Sequence, residues 1–367
     1  MDKTMQSTGG KQVASTSNGG DSGALTSARK GEHIRICLEE EVQGSGIETG
    51  FGEYRFRHNA LPELNFEQIS LQAEFLGRPL RAPFLVSSMT GGTNEAETIN
   101  RSLAEAAQTC GWAIGLGSMR AAAENPALAS TFRIRKDAPS VPVIANLGAV
   151  QLNYGFGADE CLRLVELAEA DALVLHLNSM QEVFQPEGDT DFSGLLKRIA
   201  QLCRSMPVPV GVKEVGWGIT AETAELLAGA GAAFIDVAGA GGTSWSQVEK
   251  KRGGDAVRRQ AADAFADWGV PTAQCVREVR QCLPGVPLIA SGGLQSGVDA
   301  AKAIALGADL AGFGRALLPR AVHGSAASEA LIEQFRRIEF ELRAAMFGIG
   351  AADLGELRNT DRLVRKQ

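Results

Sequence analysis

A dense group of polar and acidic residues occupies positions 176–191, directly after the apolar run at 172–175. An apolar run that ends in His, Asn, Gln, Glu and Asp indicates a buried strand whose C-terminal end leaves the core. In barrels and doubly wound sheets, ligands bind at that edge. Glu182 is suited to Mg²⁺, which is often held by one carboxylate together with substrate phosphates. His176, taken alone, fits a core histidine better than a ligand.

Polar residues also end the other apolar runs, which favours a shared site at one edge of the sheet. Lys213 follows the apolar stretch 209–212, and a buried lysine requires a partner. That partner is either Glu214 or an electron-rich ring or anion in the site. The neutral side chains that could surround such a ring are Ser88, Thr90, Ser118, Asn146 and Thr243.

Glycines follow the last three predicted strands, at 239, 241–242, 292–293 and 314. Glycine lets backbone N–H groups approach a phosphate closely, and a helix N-terminus adds a favourable dipole. Gly292, Gly293 and residues 314–317 stand where barrels commonly hold a phosphate, although each of them alone is equally compatible with a tight turn. The segment 239–242 lacks the third glycine of a dinucleotide-binding fingerprint. Taken together, these features suit a planar, phosphate-bearing cofactor such as FMN.

The elements that must position these residues alternate regularly from Pro83 onward. Apolar segments of strand length are separated by segments of helix length, and this repeat gives a parallel sheet. Eight repeats within about 250 residues predict a TIM barrel, with a doubly wound sheet as the structural alternative. The predicted strands are 84–87, 113–116, 143–145, 172–175, 209–212, 234–237, 288–290 and 310–313.

The chain divides into a tail and one domain. Residues 1–28 are predicted to be a disordered tail, because a segment rich in Ser, Thr and Gly cannot offset its ordering entropy. Residues 29–367 are predicted to form a single domain, with a short hairpin after residue 69 and the barrel over about 83–326. Residues 243–269 are an insertion between the sixth strand and its helix, either an active-site lid or a surface loop.

Composition limits the class of protein. The chain has 367 residues, is 44% hydrophobic and carries a net charge of −7, which argues against non-specific nucleic-acid binding. No apolar run approaches the roughly 20 residues of a membrane span, and no signal peptide is evident. The six cysteines are scattered without a CxxC pair. We therefore expect reduced thiols, a cytoplasmic protein, and neither nucleic-acid nor membrane partners.

Short segments in a fixed order resemble one family, type 2 isopentenyl-diphosphate isomerase, the FMN-dependent isomerase of isoprenoid biosynthesis. The resemblance extends from Arg29 to the last helix, and SSMTGG, MQE, PEGD and GGTSW are its most specific parts. The matching segments are RKGEHI from Arg29, SSMTGG from Ser87, GSMR from Gly117, ANLGA from Ala145, HLNSMQE from His176, PEGD from Pro186, VKEVGWG from Val212, AGAGGTSW from Ala238 and SGGL from Ser291.

The resemblance implies a role for each matching residue. Ala238 stands where the family often has serine, so its flavin contact would be through the backbone alone. The implied FMN contacts are Ser88, Met89, Thr90, Ser118, Asn146, Lys213, Ala238, Thr243, Gly292, Gly293, Ala316 and Leu317. The implied substrate contacts are Arg29, Lys30, His33, Arg120, His176, Asn178 and Gln181, of which the first three would clamp the diphosphate. Gln181 and Glu182 would be catalytic, with Glu182 also the Mg²⁺ ligand.

The resemblance further implies the reaction and its requirements. Isopentenyl and dimethylallyl diphosphate would be interconverted by a 1,3-allylic proton shift, with reduced FMN as the acid/base and Mg²⁺ holding the diphosphate. NADPH would reduce the flavin, although the reaction has no net redox change. The family forms tetramers and octamers, so a homo-oligomer is expected.

Two other functions remain open. An FMN-dependent oxidoreductase of the 2-hydroxy-acid dehydrogenase type would need an arginine for the substrate carboxylate and a histidine base in the late barrel loops. His323 lies beyond the eighth predicted strand, which does not favour that function. A non-catalytic flavin-binding scaffold would make Gln181 and Glu182 dispensable.

Overall fold

The computed structural model describes residues 19–253 and 255–366 of the chain, with side chains from residue 29 onward. Its strands, in chain order, are β1 (Tyr54–Phe56), β2 (Ala73–Phe75), β3 (Arg78–Leu80), β4 (Phe84–Val86), β5 (Ala113–Gly115), β6 (Val143–Gly148), β7 (Ala172–His176), β8 (Val210–Lys213), β9 (Ile235–Asp236), β10 (Leu288–Ala290), β11 (Leu310–Phe313) and β12 (Leu363–Arg365). Its α-helices are α1 (Gly19–Glu39), α2 (Asn94–Cys110), α3 (Arg120–Glu124), α4 (Ala158–Ala168), α5 (Ser179–Phe184), α6 (Leu195–Ser205), α7 (Ala221–Gly229), α8 (Trp245–Arg252), α9 (Ala256–Ala264), α10 (Thr272–Cys282), α11 (Gly297–Ala305), α12 (Leu318–Ala321), α13 (Ala327–Ile349) and α14 (Leu354–Arg358).

The centre of the molecule is a closed barrel of eight parallel strands, β4 to β11, each paired with its neighbours in chain order. Strand β11 pairs with β4 in the register Ala311↔Phe84, which closes the sheet on itself. The predicted TIM barrel is therefore confirmed, and the doubly wound alternative, which has two open edges, is wrong. The strands are buried on both faces because side chains pack inside the barrel and against the surrounding helices.

The hairpin of β2 and β3 seals one end of the barrel. Phe75 and Leu80 on the hairpin pack among the barrel's interior side chains, which include Leu85, Phe234 and Ile289. The Phe75 and Phe234 rings meet edge to face with their centroids 5.3 Å apart. These contacts lie at the N-terminal ends of the strands, so the interior opens toward the C-terminal ends, where barrel enzymes place their sites.

The insertion at 243–269 forms two helices, α8 and α9, rather than an irregular loop. Helix α8 packs against α1 through a small apolar cluster in which Val248 meets Ile36 and Val42. The Ser244 N–H donates to the Val42 carbonyl at 2.8 Å, which ties the insertion to the segment after α1. The insertion therefore supports the N-terminal helix above the barrel.

The predicted tail requires a correction. Residues 1–18 lie outside the described residues, but residues 19–28, predicted to be disordered, are the first turns of α1. Once the later part of α1 is fixed by packing, each upstream residue adds a backbone hydrogen bond at little cost, so the helix extends beyond its packed segment. Among the described helices, none is both long and apolar enough to cross a membrane.

Candidate active site

A cavity of about 280 Å³ lies at the C-terminal ends of the barrel strands, beneath helix α1. Residues at or just after all eight strands contribute to its wall. The predicted site residues that line it are Arg29, Lys30, His33, Ser88, Met89, Thr90, Ser118, Arg120, Asn146, His176, Asn178, Gln181, Glu182, Lys213, Ala238, Thr243, Gly292, Gly293 and Ala316. The structure thus brings together groups predicted from separate parts of the chain.

Leu317 is the exception among the predicted site residues. Its side chain is fully buried in the core, and its neighbour Leu318 reaches the cavity instead. Residues Arg315–Leu317 form a single 3₁₀ turn, in which the Leu317 N–H donates to the Gly314 carbonyl at 2.9 Å. The predicted phosphate contact at Leu317 was through the backbone, so it stays a prediction, and the turn directs only the side chain into the core.

Lys213 is buried at the end of β8 and donates to the backbone carbonyl of Glu214 at 2.5 Å. The Glu214 carboxylate is occupied elsewhere. Its Oε2 accepts the backbone N–H groups of residues 215–218 at 2.7, 2.7, 2.6 and 3.2 Å. Burial lowers the pKa of Lys213, and Asp236 and then Glu214 oppose that shift. Of the two predicted partners for Lys213, the geometry favours a group in the cavity. An ion pair with the Glu214 side chain is not favoured, because that carboxylate is already hydrogen-bonded to the backbone.

We expect Glu214→Ala to lower the free energy of unfolding by about 3 kcal/mol or more, because four backbone donors lose a charged acceptor. Urea or thermal unfolding measures this loss. The matched control is Glu225→Ala, which truncates an exposed carboxylate in the middle of α7. Equal effects of the two substitutions would contradict a structural role for the Glu214 carboxylate.

His176 ends β7 and hydrogen-bonds through Nδ1 to Asn146 Oδ1 at 2.8 Å. The Asn146 amide nitrogen in turn donates to the Leu116 carbonyl at 3.0 Å, which fixes the orientation of the amide. Burial, assisted by the positive charges of Lys213 and Lys30, lowers the pKa of His176 to about 3. His176 is therefore neutral near pH 7 and is suited to hydrogen bonding rather than to charge pairing.

Glu182 lies on α5, the short helix that begins directly after β7. Its Oε1 accepts from Asn178 Nδ2 and its Oε2 from the Asp189 N–H, both at 2.7 Å. Burial raises the pKa of Glu182, and the hydrogen bonds from Asp189 and Asn178 only partly offset that increase. Gln181 lies one residue before it, with its Oε1 3.5 Å from Asn178 Nδ2. The helix thus presents an amide and a carboxylate to the cavity side by side.

Helix α1 supplies basic groups to the cavity. Lys30 Nζ donates to the Ser118 carbonyl at 3.0 Å and lies 5.5 Å from the centre of the Phe132 ring. Arg29 reaches Glu187 at 3.5 Å, and His33 Nε2 is 3.0 Å from Glu249 Oε1. The predicted clamp residues therefore occupy the roof of the cavity.

Asp189 and Gln151 belong to the surroundings of the cavity, but neither of them was assigned a role from the sequence. Asp189 forms an ion pair with Arg120 and accepts from Gln151 Nε2 at 2.9 Å. Gln151 is buried, lines the cavity and follows β6. The PEGD segment was a signal for Asp189, whereas a single glutamine in a short turn gave no signal for Gln151.

The residues present fit a flavin mononucleotide. Ser87 Oγ and Asn178 Oδ1 are buried at the cavity wall and have no hydrogen-bond partner within the described part of the chain. Gly292 and Gly293 adopt positive φ values of 104° and 79°, which expose backbone amides in a tight turn after β10. Together with the Lys213 cation, these groups provide what a phosphate and an electron-rich ring require.

The described side chains around Glu182 do not form a complete set of metal ligands. Among the described residues, no cluster of three or more His, Cys, Asp or Glu side chains could hold a metal ion. The described residues therefore form no metal site composed of protein ligands alone. A Mg²⁺ ion at Glu182 would need its remaining ligands from a phosphorylated substrate and water, which is the mode that this ion commonly adopts.

Comparisons with known proteins agree with the fold and the cavity. Residues 153–365 match the family model described as FMN-dependent dehydrogenase. Among solved structures, an (S)-mandelate dehydrogenase superposes with a TM-score of 0.65 at 18% identity, covering 95% of this chain and 99% of that one. A lactate oxidase from Pediococcus acidilactici superposes with a TM-score of 0.62 at 17% identity, covering 95% and 94%. Fold and family model together define an FMN-dependent barrel protein.

Curated relatives define the family within that class. Isopentenyl-diphosphate delta-isomerase of Oceanobacillus iheyensis is 53% identical over 91% of this chain and 95% of its own length. The protein of that name from Nostoc sp. is 52% identical over 94% of this chain and 97% of its own length. The chain belongs to the isopentenyl-diphosphate delta-isomerase family, and it is an FMN-dependent isomerase. The predicted recognition and enzyme class are confirmed.

Proposed function

We propose that this chain interconverts isopentenyl diphosphate and dimethylallyl diphosphate by a 1,3-allylic proton shift, with Mg²⁺ holding the diphosphate. The observation that supports this most directly is the composition of one cavity. Basic groups on α1, the Glu182 carboxylate and the flavin-suited strand ends all line it. A diphosphate at the roof would place a short isoprenoid chain toward the barrel interior.

FMN would be held at the strand ends. Gly292, Gly293 and the backbone of Ala316 and Leu317 would contact its phosphate, and Lys213 its ring. The neutral contacts would be Ser88, Met89, Thr90, Ser118, Asn146, Thr243 and the backbone of Ala238. When bound in its reduced form, FMN supplies an acid/base group for proton transfer, which is consistent with the lack of an obvious acid/base pair among the described side chains that line the cavity.

The remaining residues would bind and orient the substrate. Arg29, Lys30 and His33 would contact the diphosphate from α1, and Glu182 would bind its Mg²⁺. The neutral groups His176, Asn178 and Gln181 would lie along the isoprenoid portion together with Arg120. Gln181, whose amide lies beside Glu182 and next to Asn178, would line the substrate as the second predicted catalytic residue.

The pKa of Lys30 gives a testable pH dependence. Burial, with Arg29, lowers the Lys30 pKa to about 7, so the side chain is charged below that pH and neutral above it. A diphosphate binds the charged form, so affinity should fall as pH rises past about 7, by up to about tenfold per pH unit until the pKa of the bound state is reached. The quantity to measure is KM from about pH 6 to about pH 9.

Lys30→Arg is the matched variant, because arginine stays charged throughout this range. Ionisation of the substrate is common to both proteins, so the difference between their profiles isolates Lys30. We expect a flatter profile in the arginine variant. Parallel profiles would remove Lys30 from diphosphate binding.

Further features are proposed with the function. NADPH would reduce the flavin, and the protein would act in the cytoplasm as a homo-oligomer, a tetramer or octamer. These proposals rest on the family resemblance. Sedimentation of the purified protein and flavin reduction with NADPH test the assembly and the reductant separately.

The function itself is tested by anaerobic incubation with FMN, NADPH, Mg²⁺ and isopentenyl diphosphate. Formation of dimethylallyl diphosphate is the expected result, and its absence from a flavin-loaded protein would contradict the proposal. Reduction of oxidised FMN on the protein by a 2-hydroxy acid, tested without NADPH, would favour the oxidoreductase alternative. That alternative lacks structural support at His323, which is exposed outside the cavity wall. A non-catalytic scaffold would yield neither product.

A further inference from the structure

Asp236 is a buried carboxylate inside the barrel, at the end of β9, with 1% of its surface exposed. It pairs in register with Lys213 on β8, so the two side chains point to the same side of the sheet. Lys213 lines the cavity, whereas Asp236 lies behind the cavity wall. Asp236 is therefore placed to act on the site through its neighbours.

The first of these neighbours is the Lys213 ammonium group. The Glu214 carboxylate is occupied by four backbone N–H groups. Burial lowers the pKa of Lys213, and Asp236 is the stronger of the two acidic groups that raise it again. Burial likewise raises the pKa of Asp236, and Lys213 is the main group that lowers it. Each of the two groups therefore opposes the effect of burial on the pKa of the other.

The second neighbour is the glycine turn after β10. Ser291 Oγ donates to Asp236 Oδ1 at 2.6 Å, and the Ala238 N–H donates to the same oxygen at 3.3 Å. Ser291 immediately precedes Gly292, and its carbonyl accepts the Gly239 N–H at 2.9 Å. A single carboxylate oxygen therefore joins the backbones that follow β9 and β10.

We propose that Asp236 is a positioning residue for FMN, which holds the Lys213 cation and the Ser291-Gly292-Gly293 turn in one fixed arrangement. Lys213 and the turn are the groups assigned to the flavin ring and its phosphate, so the inference rests on the proposed placement of FMN. Asp236 touches neither part of the cofactor. Its effect is to fix, relative to each other, the two groups that do.

The test compares Asp236→Asn with the unchanged protein in FMN affinity, its pH dependence and the reduction potential of bound FMN. The asparagine carries no negative charge, so the pKa of Lys213 falls further. Lys213 then loses its positive charge at a lower pH, and FMN binding weakens at a lower pH than in the wild type. We expect about a tenfold loss of affinity and a lower potential, because a cation beside the flavin favours its anionic reduced form. The other ionisable groups beside Lys213 are Glu214, directly after β8, and His176 on β7, and both are retained.

Two variants separate the possible outcomes. Lys213→Met tests the placement of FMN, and unchanged affinity there would overturn that placement. If Lys213→Met weakens binding but Asp236→Asn alters neither affinity, pH dependence nor potential, the role of Asp236 alone is overturned. Ser291→Ala should weaken FMN binding without moving the pH dependence. Should Asp236→Asn fail to fold, unchanged FMN affinity in Ser291→Ala overturns the proposal, and about a tenfold loss supports it.

Discussion

Glu182→Gln is expected to lower kcat/KM for isomerisation by about 100-fold or more, because it removes the carboxylate assigned to the Mg²⁺ that holds the diphosphate. The two carboxylate oxygens accept from Asn178 and from the Asp189 N–H. The amide nitrogen of glutamine is itself a hydrogen-bond donor, so either the Asn178 amide or the Asp189 N–H would face a donor instead of an acceptor. The substitution would also replace a carboxylate ligand by a weaker amide oxygen, so the Mg²⁺ concentration needed for half-maximal rate should rise.

FMN content provides the internal check for this variant. Glu182 is assigned to the substrate and its metal, so the visible absorbance of bound flavin should match that of the wild type. Glu166→Gln, which alters an exposed carboxylate on α4, is the control for the loss of one negative charge. Activity within a few-fold of the wild type, at the same Mg²⁺ requirement, would exclude Glu182 from the mechanism.

Gly292→Ala is expected to weaken FMN binding by at least about tenfold. Gly292 has φ +104°, and a Cβ there would lie 2.2 Å from the Gly239 carbonyl oxygen and 2.5 Å from the Gly239 nitrogen. Both are backbone atoms, so no side-chain rotation can relieve the clash. The turn after β10 must shift away from the one after β9, which moves the amides assigned to the flavin phosphate.

The matched control for this variant is Gly324→Ala. Gly324 also has a positive φ, +61°, but a Cβ there meets nothing within 4 Å. Gly324→Ala incurs the cost of a left-handed alanine, about 1–2 kcal/mol, and Gly292→Ala incurs at least that cost together with the clash. Titration of the apoproteins with FMN measures the difference. Equal FMN affinities would show that the Gly292 turn does not hold the phosphate.

The sequence predicted the barrel and most of the cavity wall for a physical reason. Parallel strands must be apolar on both faces, so the point where each strand leaves the core is visible as an abrupt change to polar residues. Lys213 and Asn146 were found in this way. Gly292 and Gly293 were found because few other residues adopt the positive φ that their turn requires.

The features that the sequence did not predict depend on contacts between distant residues. Strand β1 pairs with β12 in the register Tyr54↔Arg365, and no local pattern specifies so distant a partner. Asp236 lies within an apolar run and drew no attention, although its burial against Lys213 is evident in three dimensions. The direction of the Leu317 side chain is set by one 3₁₀ turn, which no residue pattern specified.

The β2–β3 hairpin has a kinetic consequence. Because Phe75 and Leu80 fill the far end of the barrel, the cavity below α1 lies at the opposite end. With FMN at the strand ends and the substrate beneath α1, as proposed, the flavin would have to bind before the substrate. The hairpin would thereby give the two ligands a fixed order of binding.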